Sequence, residues 1–240
     1  MQVQVISSAN EISASQMVNK TVIVIDVLRT ISTIITALAA GAASVTPVET
    51  VMEARSLQRA GDLLCGERFC RKITGFDLGN SPFEYEALTV DSRRILLTTT
   101  NGTRALLKAM RADYVLAGAL LNAGSCARLA HDLRRDVILL CAGAHDQFAA
   151  EDGLCAGLMI DRLQSLRQAP VELDDFGLAM LGFYRNNEHS IESAVASSLT
   201  GKKLIKLGYK KDVELCTKID HFNMVPRLNG DSLLLAGGTS

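Results

Sequence analysis

Apolar residues along the chain come mostly in short unbroken blocks, and each block runs into a polar turn and then into a helix-period segment. Blocks over 21–25 (TVIVI), 43–48, 95–98, 114–117 and 137–141 read as strands buried on both faces. Segments over 31–40, 49–60, 104–110, 123–133 and 151–165 read as the helices that follow them, with Gly41 closing the first. A weaker alternation over 1–6 predicts one more strand. Strands alternating with helices predict an α/β chain with a mainly parallel sheet. The order strand, polar turn, helix, strand, helix begins at residue 21 and begins again at 95, so the chain allows one large domain or two small lobes. Residues 61–94 break this rhythm with Gly, polar groups and Pro82, and are expected to form a long functional loop. Composition shifts again after Ala169-Pro170. A helical stretch over 171–198 is interrupted around 185–188, five lysines fall within 201–212, a short helix covers 213–219, and a last apolar run spans 232–236.

Composition narrows the picture. Apolar residues make up 48% of the 240, but aromatics only 5% with no Trp, so the core must be aliphatic. A net charge of −1 excludes nucleic acid as a bulk electrostatic partner. No apolar run approaches the roughly 18 residues of a membrane helix, and the N-terminal residues lack a signal-like block, so the expected location is cytoplasmic. The six cysteines are scattered without a CxxC pair, which argues against zinc and for reduced thiols in the core. A homodimer is left open.

Chemistry is expected beyond the carboxyl ends of the strands. Asp26 and Arg29 follow the first main strand. Thr99, Thr100, Asn101, Gly102, Thr103 and Arg104 form the turn and helix start after 95–98. Hydroxyls, backbone N–H groups and the helix dipole make that turn an anion site; the plainer alternative is a helix cap. Asn122 follows 114–117, Gly143 follows 137–141, and Glu151-Asp152 opens the next helix, where acids also suit the helix dipole. The 61–94 segment adds Glu67, Arg68, Asp77, Asn80 and Ser81. Oxygen-rich acids suit Mg²⁺, with Asp26, Glu151 and Asp152 as candidate ligands, and arginine with amides suits phosphate. Together they describe phosphoryl transfer or phosphoester hydrolysis. Competing signatures are missing: there is no GxSxG, HExxH, Walker loop or GxGxxG, and no arginine follows Cys141 where a cysteine phosphatase would need one. The lysines of 201–212 read as a solvated face.

The strings VIVIDVLRTISTIITAL (22–38), GERFCRKITGFDLGNSPFEY (66–85), LLTTTNGTRAL (96–106), LLNAGSCA (120–127), LLCAGAHDQFAAEDGLCAGLMI (139–160) and GYKKDVELCTKIDHFNMVPRL (208–228) resemble the 2-phosphosulfolactate phosphatases, in that family's order. The resemblance implies two similar three-layer α/β/α lobes with mainly parallel sheets and the site in the groove between them, divided here as 1–90 and 91–240 with a C-terminal helical extension. It also implies Mg²⁺-dependent hydrolysis of 2-phospho-3-sulfolactate, a step of coenzyme M synthesis. On this reading Asp26, Arg29, Glu67, Asp77 and Asp152 carry the chemistry. Asn80, Ser81, Thr99, Thr100, Asn101, Gly102, Thr103, Arg104, Asn122 and Gly143 hold a small anionic phosphoester, with Arg68 as a further cation. The chain departs from the family's usual residues at Phe69-Cys70 and at Ala144-His145-Asp146. Two rival readings are a phosphatase for another anionic phosphoester and a non-catalytic sensor of a phosphometabolite.

Overall fold

The computed structural model describes residues 1–166 and 170–235. Ala169, at the expected shift in composition, and Ala236, at the end of the expected last apolar run, lie outside them. Every strand and helix expected between residues 20 and 166 is present to within a few residues, because each strand is a continuous apolar block. In chain order the strands are β1 (Gln2–Ile6), β2 (Lys20–Ile25), β3 (Ser44–Pro47), β4 (Leu63–Arg68), β5 (Arg71–Lys72), β6 (Arg94–Thr98), β7 (Tyr114–Gly118), β8 (Asp136–Cys141), β9 (Glu172–Leu173), β10 (Pro226–Asn229) and β11 (Ser232–Leu235). The helices are α1 (Thr30–Ala39), α2 (Val51–Leu57), α3 (Ala87–Val90), α4 (Gly102–Ala109), α5 (Ala123–Asp132), α6 (Ala150–Leu166), α7 (Asp175–Asn187), α8 (Ile191–Ser197), α9 (Leu199–Lys206) and α10 (Lys210–Cys216).

The strands form one sheet ordered β5-β4-β6-β3-β11-β10-β7-β2-β8-β1-β9. Two parallel groups, β4-β6-β3 and β7-β2-β8-β1-β9, flank the antiparallel hairpin of β10 and β11. The hairpin pairs antiparallel with β7 on one side and with β3 on the other, so the two groups run in opposite senses. Strands from either side of residue 90 interleave: β6 lies between β4 and β3, and β7 and β8 flank β2.

Alternate residues of β2 enter different cores, as the two-residue period of a strand requires. Val22 and Val24 pack with α1 and α4 through Ile31, Ile34 and Leu106, while Ile23 and Ile25 face Cys126, Cys155 and Met159 of α5 and α6. All four strand residues are fully buried, each contributing roughly 1.5–3 kcal/mol. Helices therefore cover both faces, the α/β/α arrangement expected.

The expected loop over 61–94 is a correction. It contains β4, β5, a helical turn at Pro82–Glu84 and α3. The apolar part of β4 is only Leu63-Leu64-Cys65, too short to register as a block. Gly66 then has φ +149°, and a Cβ there would lie 2.0 Å from the Thr98 carbonyl oxygen, so only glycine lets β4 approach β6 this closely. The helical stretch expected over 171–198, with its interruption, is two helices, α7 and α8, after the short β9.

Candidate functional site

A cleft of ≈ 160 Å³ is lined by the turns after β2, β4, β6 and β8 on one side and by α9 on the other. Asp26 and Arg29 line it from the β2–α1 turn, Glu67 and Asn80 from the segment that follows β4, and Thr100 and Asn101 from the β6–α4 turn. The strand-end turns therefore meet: the Thr30 hydroxyl donates to that of Thr99 at 3.2 Å, and Gly102 sits against Asp26. A Cβ at Gly102 would fall 2.4 Å from both Asp26 Oδ2 and Thr30 Cβ, which explains glycine at the first position of α4.

Asp26 is 5% exposed, and its Oδ1 accepts the Thr30 amide at 3.2 Å. Burial, more than any other influence, pushes its pKa up to about 7; the Thr30 bonds oppose this, and the negative charges of Glu151 and Glu67 add to it. Asp152 is also buried, and its carboxyl is raised well above the usual range by burial first and then by Asp26 and Glu151. Its two oxygens accept the Val27 amide at 2.9 Å and the Gly143 amide at 3.1 Å, so it ties the turn after β2 to the turn after β8. Glu151 is buried, close enough for its charge to raise Asp26, and like Asp152 does not line the cleft. Among the described residues no three His, Cys, Asp or Glu side chains are grouped to hold a metal, so Asp26, Glu151 and Asp152 do not form one ligand cluster.

Glu67 is held firmly: Oε1 accepts the amide and hydroxyl of Thr100, both at 2.9 Å, and Oε2 accepts the Cys70 amide at 2.6 Å. Arg29 is 4% exposed and donates to Asp212 at 2.6 Å and to the Cys70 carbonyl at 3.3 Å, with its guanidinium 4.4 Å from the Tyr209 ring centroid. Asp212 also accepts the Ser81 hydroxyl at 2.8 Å. Asn80 is 5% exposed, and its Oδ1 has no hydrogen-bond partner.

Other expected site residues stand outside the cleft lining. Thr99 and Thr103 are buried and bond to each other, the Thr103 hydroxyl donating to the Thr99 carbonyl at 3.0 Å. Asn122, at the start of α5, donates its side-chain amide to the Ala117 carbonyl at 3.1 Å and to the Met224 carbonyl at 3.0 Å and accepts the Ala119 amide. Asp77 accepts the Leu64 amide at 2.8 Å. Arg68 donates to the carbonyls of Glu67 and Glu49 and to the Thr98 hydroxyl, and Arg104 pairs with Asp146. The cations at the cleft are instead Arg29 and Lys203.

Sequence reasoning read the α9 segment as a solvated face and expected α10 as a short helix over 213–219, three residues late, without giving either a place at the site. Leu199, Thr200, Lys203 and Leu204 line the cleft, and Tyr209 and Asp212 hold Arg29 from outside it. Strand-end logic had no access to them, although Tyr209 and Asp212 fall in the 208–228 string that carries the resemblance. Phe69, Cys70, Ala144 and His145, where the chain departs from that family's usual residues, also line the cleft.

The model of the family described as 2-phosphosulpholactate phosphatase matches residues 6–231. A probable 2-phosphosulfolactate phosphatase of Thermotoga petrophila is 41% identical over 216 residues, covering 90% of this chain and 92% of its own. Proteins of the same name from Caldanaerobacter subterraneus and Clostridium acetobutylicum are 39% and 37% identical, covering 95% and 98% of this chain and 95% and 100% of their own. With matches that run through every turn lining the cleft and through α9 and α10, the chain belongs to the 2-phosphosulfolactate phosphatase family.

Proposed function

We propose that the chain is a phosphoric monoester hydrolase that converts 2-phospho-3-sulfolactate and water to 3-sulfolactate and phosphate, with Mg²⁺ as its cofactor. The observation that carries this reading is the convergence of Asp26, Glu67, Arg29 and the unpartnered Asn80 oxygen on one small cleft in a chain of this family. Arg29, held by Asp212 and Tyr209, presents its remaining N–H edge to the phosphoryl oxygens without having to reorganise. The start of α4 at Asn101-Gly102 adds its dipole at the same cleft. Asp26 supplies the charge or proton that the reacting oxygen requires; in the metal-free chain burial raises its pKa to about 7.

The residues fit Mg²⁺. This hard cation takes oxygen ligands, commonly one or two carboxylates plus substrate phosphate and water, and needs no larger protein cluster. Asp26, Glu67 and the Asn80 amide oxygen would hold it, and a cation there would offset the negative charge that Glu151 and Glu67 impose on Asp26. Bound there, it supplies Lewis-acid stabilisation of charge on the phosphoryl group.

Six free cysteines suit a reducing compartment, which supports a cytoplasmic role. Among the described residues no helix is long and apolar enough to cross a membrane. We assign the product to coenzyme M or sulfolactate synthesis on the strength of the family resemblance. The test is phosphate release from a phosphoester panel, in EDTA and after Mg²⁺ is restored. Release from 2-phosphosulfolactate in excess over the other esters, lost in EDTA and regained with Mg²⁺, is expected. Full activity in chelator would overturn the metal assignment, and no release from any ester would overturn the reading.

A further inference from the structure

The acidic wall of the cleft faces a wall with the opposite character. Thr200 and Lys203 are three residues apart on α9, so they share one face of the helix, and both line the cleft. Lys203 takes part in no ion pair among the described residues. Arg29, the other cation there, is engaged by Asp212, the Cys70 carbonyl and the Tyr209 ring. The two cations flank residue 70: Arg29 donates to its carbonyl, and the Lys203 ammonium lies beside its thiol, countering the upward push of burial on that group. Asn80, whose buried Oδ1 has no hydrogen-bond partner, lines the same cleft on the side of the acids.

The inference rests on the proposed function. A 2-phosphosulfolactate carries three anionic groups on a three-carbon frame. The phosphoryl group belongs beside Asp26 and Arg29, where the chemistry is. With Arg29 given to the phosphoryl group, Lys203 is the cation left at the cleft for a second anion, and a sulfonate, tetrahedral and weakly basic, is matched by a point charge and a hydroxyl donor. We propose that Lys203 and the Thr200 hydroxyl on α9 bind the sulfonate of the substrate, and that this pair sets the preference for a sulfonated ester over its unsulfonated analogue. α9 is then the specificity wall of the cleft and the strand-end turns its reaction wall. Phe69 and Leu199, both exposed at the mouth, would border the methylene that joins the sulfonate to the ester carbon.

The test compares steady-state phosphate release from 2-phosphosulfolactate and from 2-phospholactate, which lacks only the sulfonate, at saturating Mg²⁺. In Lys203→Ala the ratio of kcat/KM for the sulfonated over the plain ester should fall roughly 10- to 100-fold, mostly through KM, as expected on losing a charged hydrogen bond. Lys203→Arg should restore most of that ratio, and Thr200→Val should lower it roughly 2- to 10-fold. Binding of 3-sulfolactate, followed by calorimetry, should weaken in parallel. An unchanged ratio in folded Lys203→Ala, or equal losses on both esters, would overturn the sulfonate assignment while leaving a phosphatase. A wild-type chain that releases phosphate from neither ester would overturn the phosphatase reading itself, and the assignment with it.

Discussion

Replacing Asp26 by Asn should make the protein more stable at alkaline pH while removing its activity. The Asp26 pKa rises from 3.8 to about 7 on folding, chiefly through burial, with Glu151 and Glu67 adding negative charge. The native state thus binds this proton more tightly than the unfolded chain does. The stability linked to it is fully present below the unfolded value, is lost as pH rises from 3.8 to about 7, and is absent at pH 8. At 1.36 kcal/mol per unit the ionised carboxylate costs the native state at most roughly 4 kcal/mol. Asn has the same shape and still offers Thr30 an acceptor, but carries no charge to desolvate. Without Mg²⁺, Asp26→Asn should therefore be about 2–4 kcal/mol more stable than wild type at pH 8, with the gap closing towards pH 4. Asp152, raised partly by the charge of Asp26, would relax in the same direction. Urea unfolding in EDTA at pH 4, 6 and 8 measures the gap. Mg²⁺ at pH 8 should then stabilise wild type and not the variant. The kcat for phosphate release should drop roughly a hundredfold or more. A folded variant with near-normal kcat, or a stability gap that does not change with pH, would refute the reasoning.

Asp212→Ala leaves the guanidinium of Arg29 buried without its anion, and thermal or urea unfolding should register a loss of roughly 3–5 kcal/mol; a loss under about 1 kcal/mol would mean the pair does not anchor α10. Gly102→Ala puts a methyl against Asp26 and Thr30, so about 1–3 kcal/mol of stability and at least roughly tenfold in kcat should go together. Thr103→Ala removes a bond made within the turn, so its cost should appear as about 0.5–1.5 kcal/mol of stability, with kcat down by roughly 2- to 13-fold at most. Cys141 is fully buried and its thiol is raised by burial, so Cys141→Ser should lower the melting temperature while turnover persists; a folded serine variant with no turnover would bring the thiolate into the chemistry.

How much of this was legible along the chain depends on where each side chain finds its partners. β2, β6, β7 and β8 are unbroken apolar blocks because both faces are covered, and a pattern rule recognises that directly. Asp26 and Asn101 were legible for the same reason, since a strand end fixes the position of the next residue. β4 was not. Glu67 is buried only because Thr100 and Cys70 supply donors to it, the half-buried Arg68 donates to Thr98 and two carbonyls, and none of these pairings shows in local sequence. The lysine-rich segment misled for a related reason. Its charges suggest a solvated helix, yet Gly201 and Leu204 turn inward, Lys203 reaches the cleft and Asp212 is 3% exposed. Composition describes the average face of such a helix, whereas the site uses the exceptional one.

The acids gathered here differ in what is left of each carboxylate once folding has used it. Asp152 gives both oxygens to backbone amides, Val27 and Gly143, on turns that follow two different strands. Its Asn variant could satisfy only one of those amides without turning its own N–H₂ on the other, so its charge and symmetry serve to hold two turns in register. Glu67 is similarly engaged, by Thr100 and by Cys70, yet it stays on the cleft wall, where a cation can share its remaining lone pairs. Asp26 is held by Thr30 alone and opens onto the cleft beside a glycine that leaves it room. A carboxylate with both oxygens committed to the backbone braces a structure, and one with an uncommitted edge in a cleft can bind a cation or move a proton. By that criterion we propose Asp26 as the carboxylate that acts on the substrate and Asp152 as the brace that keeps it in place.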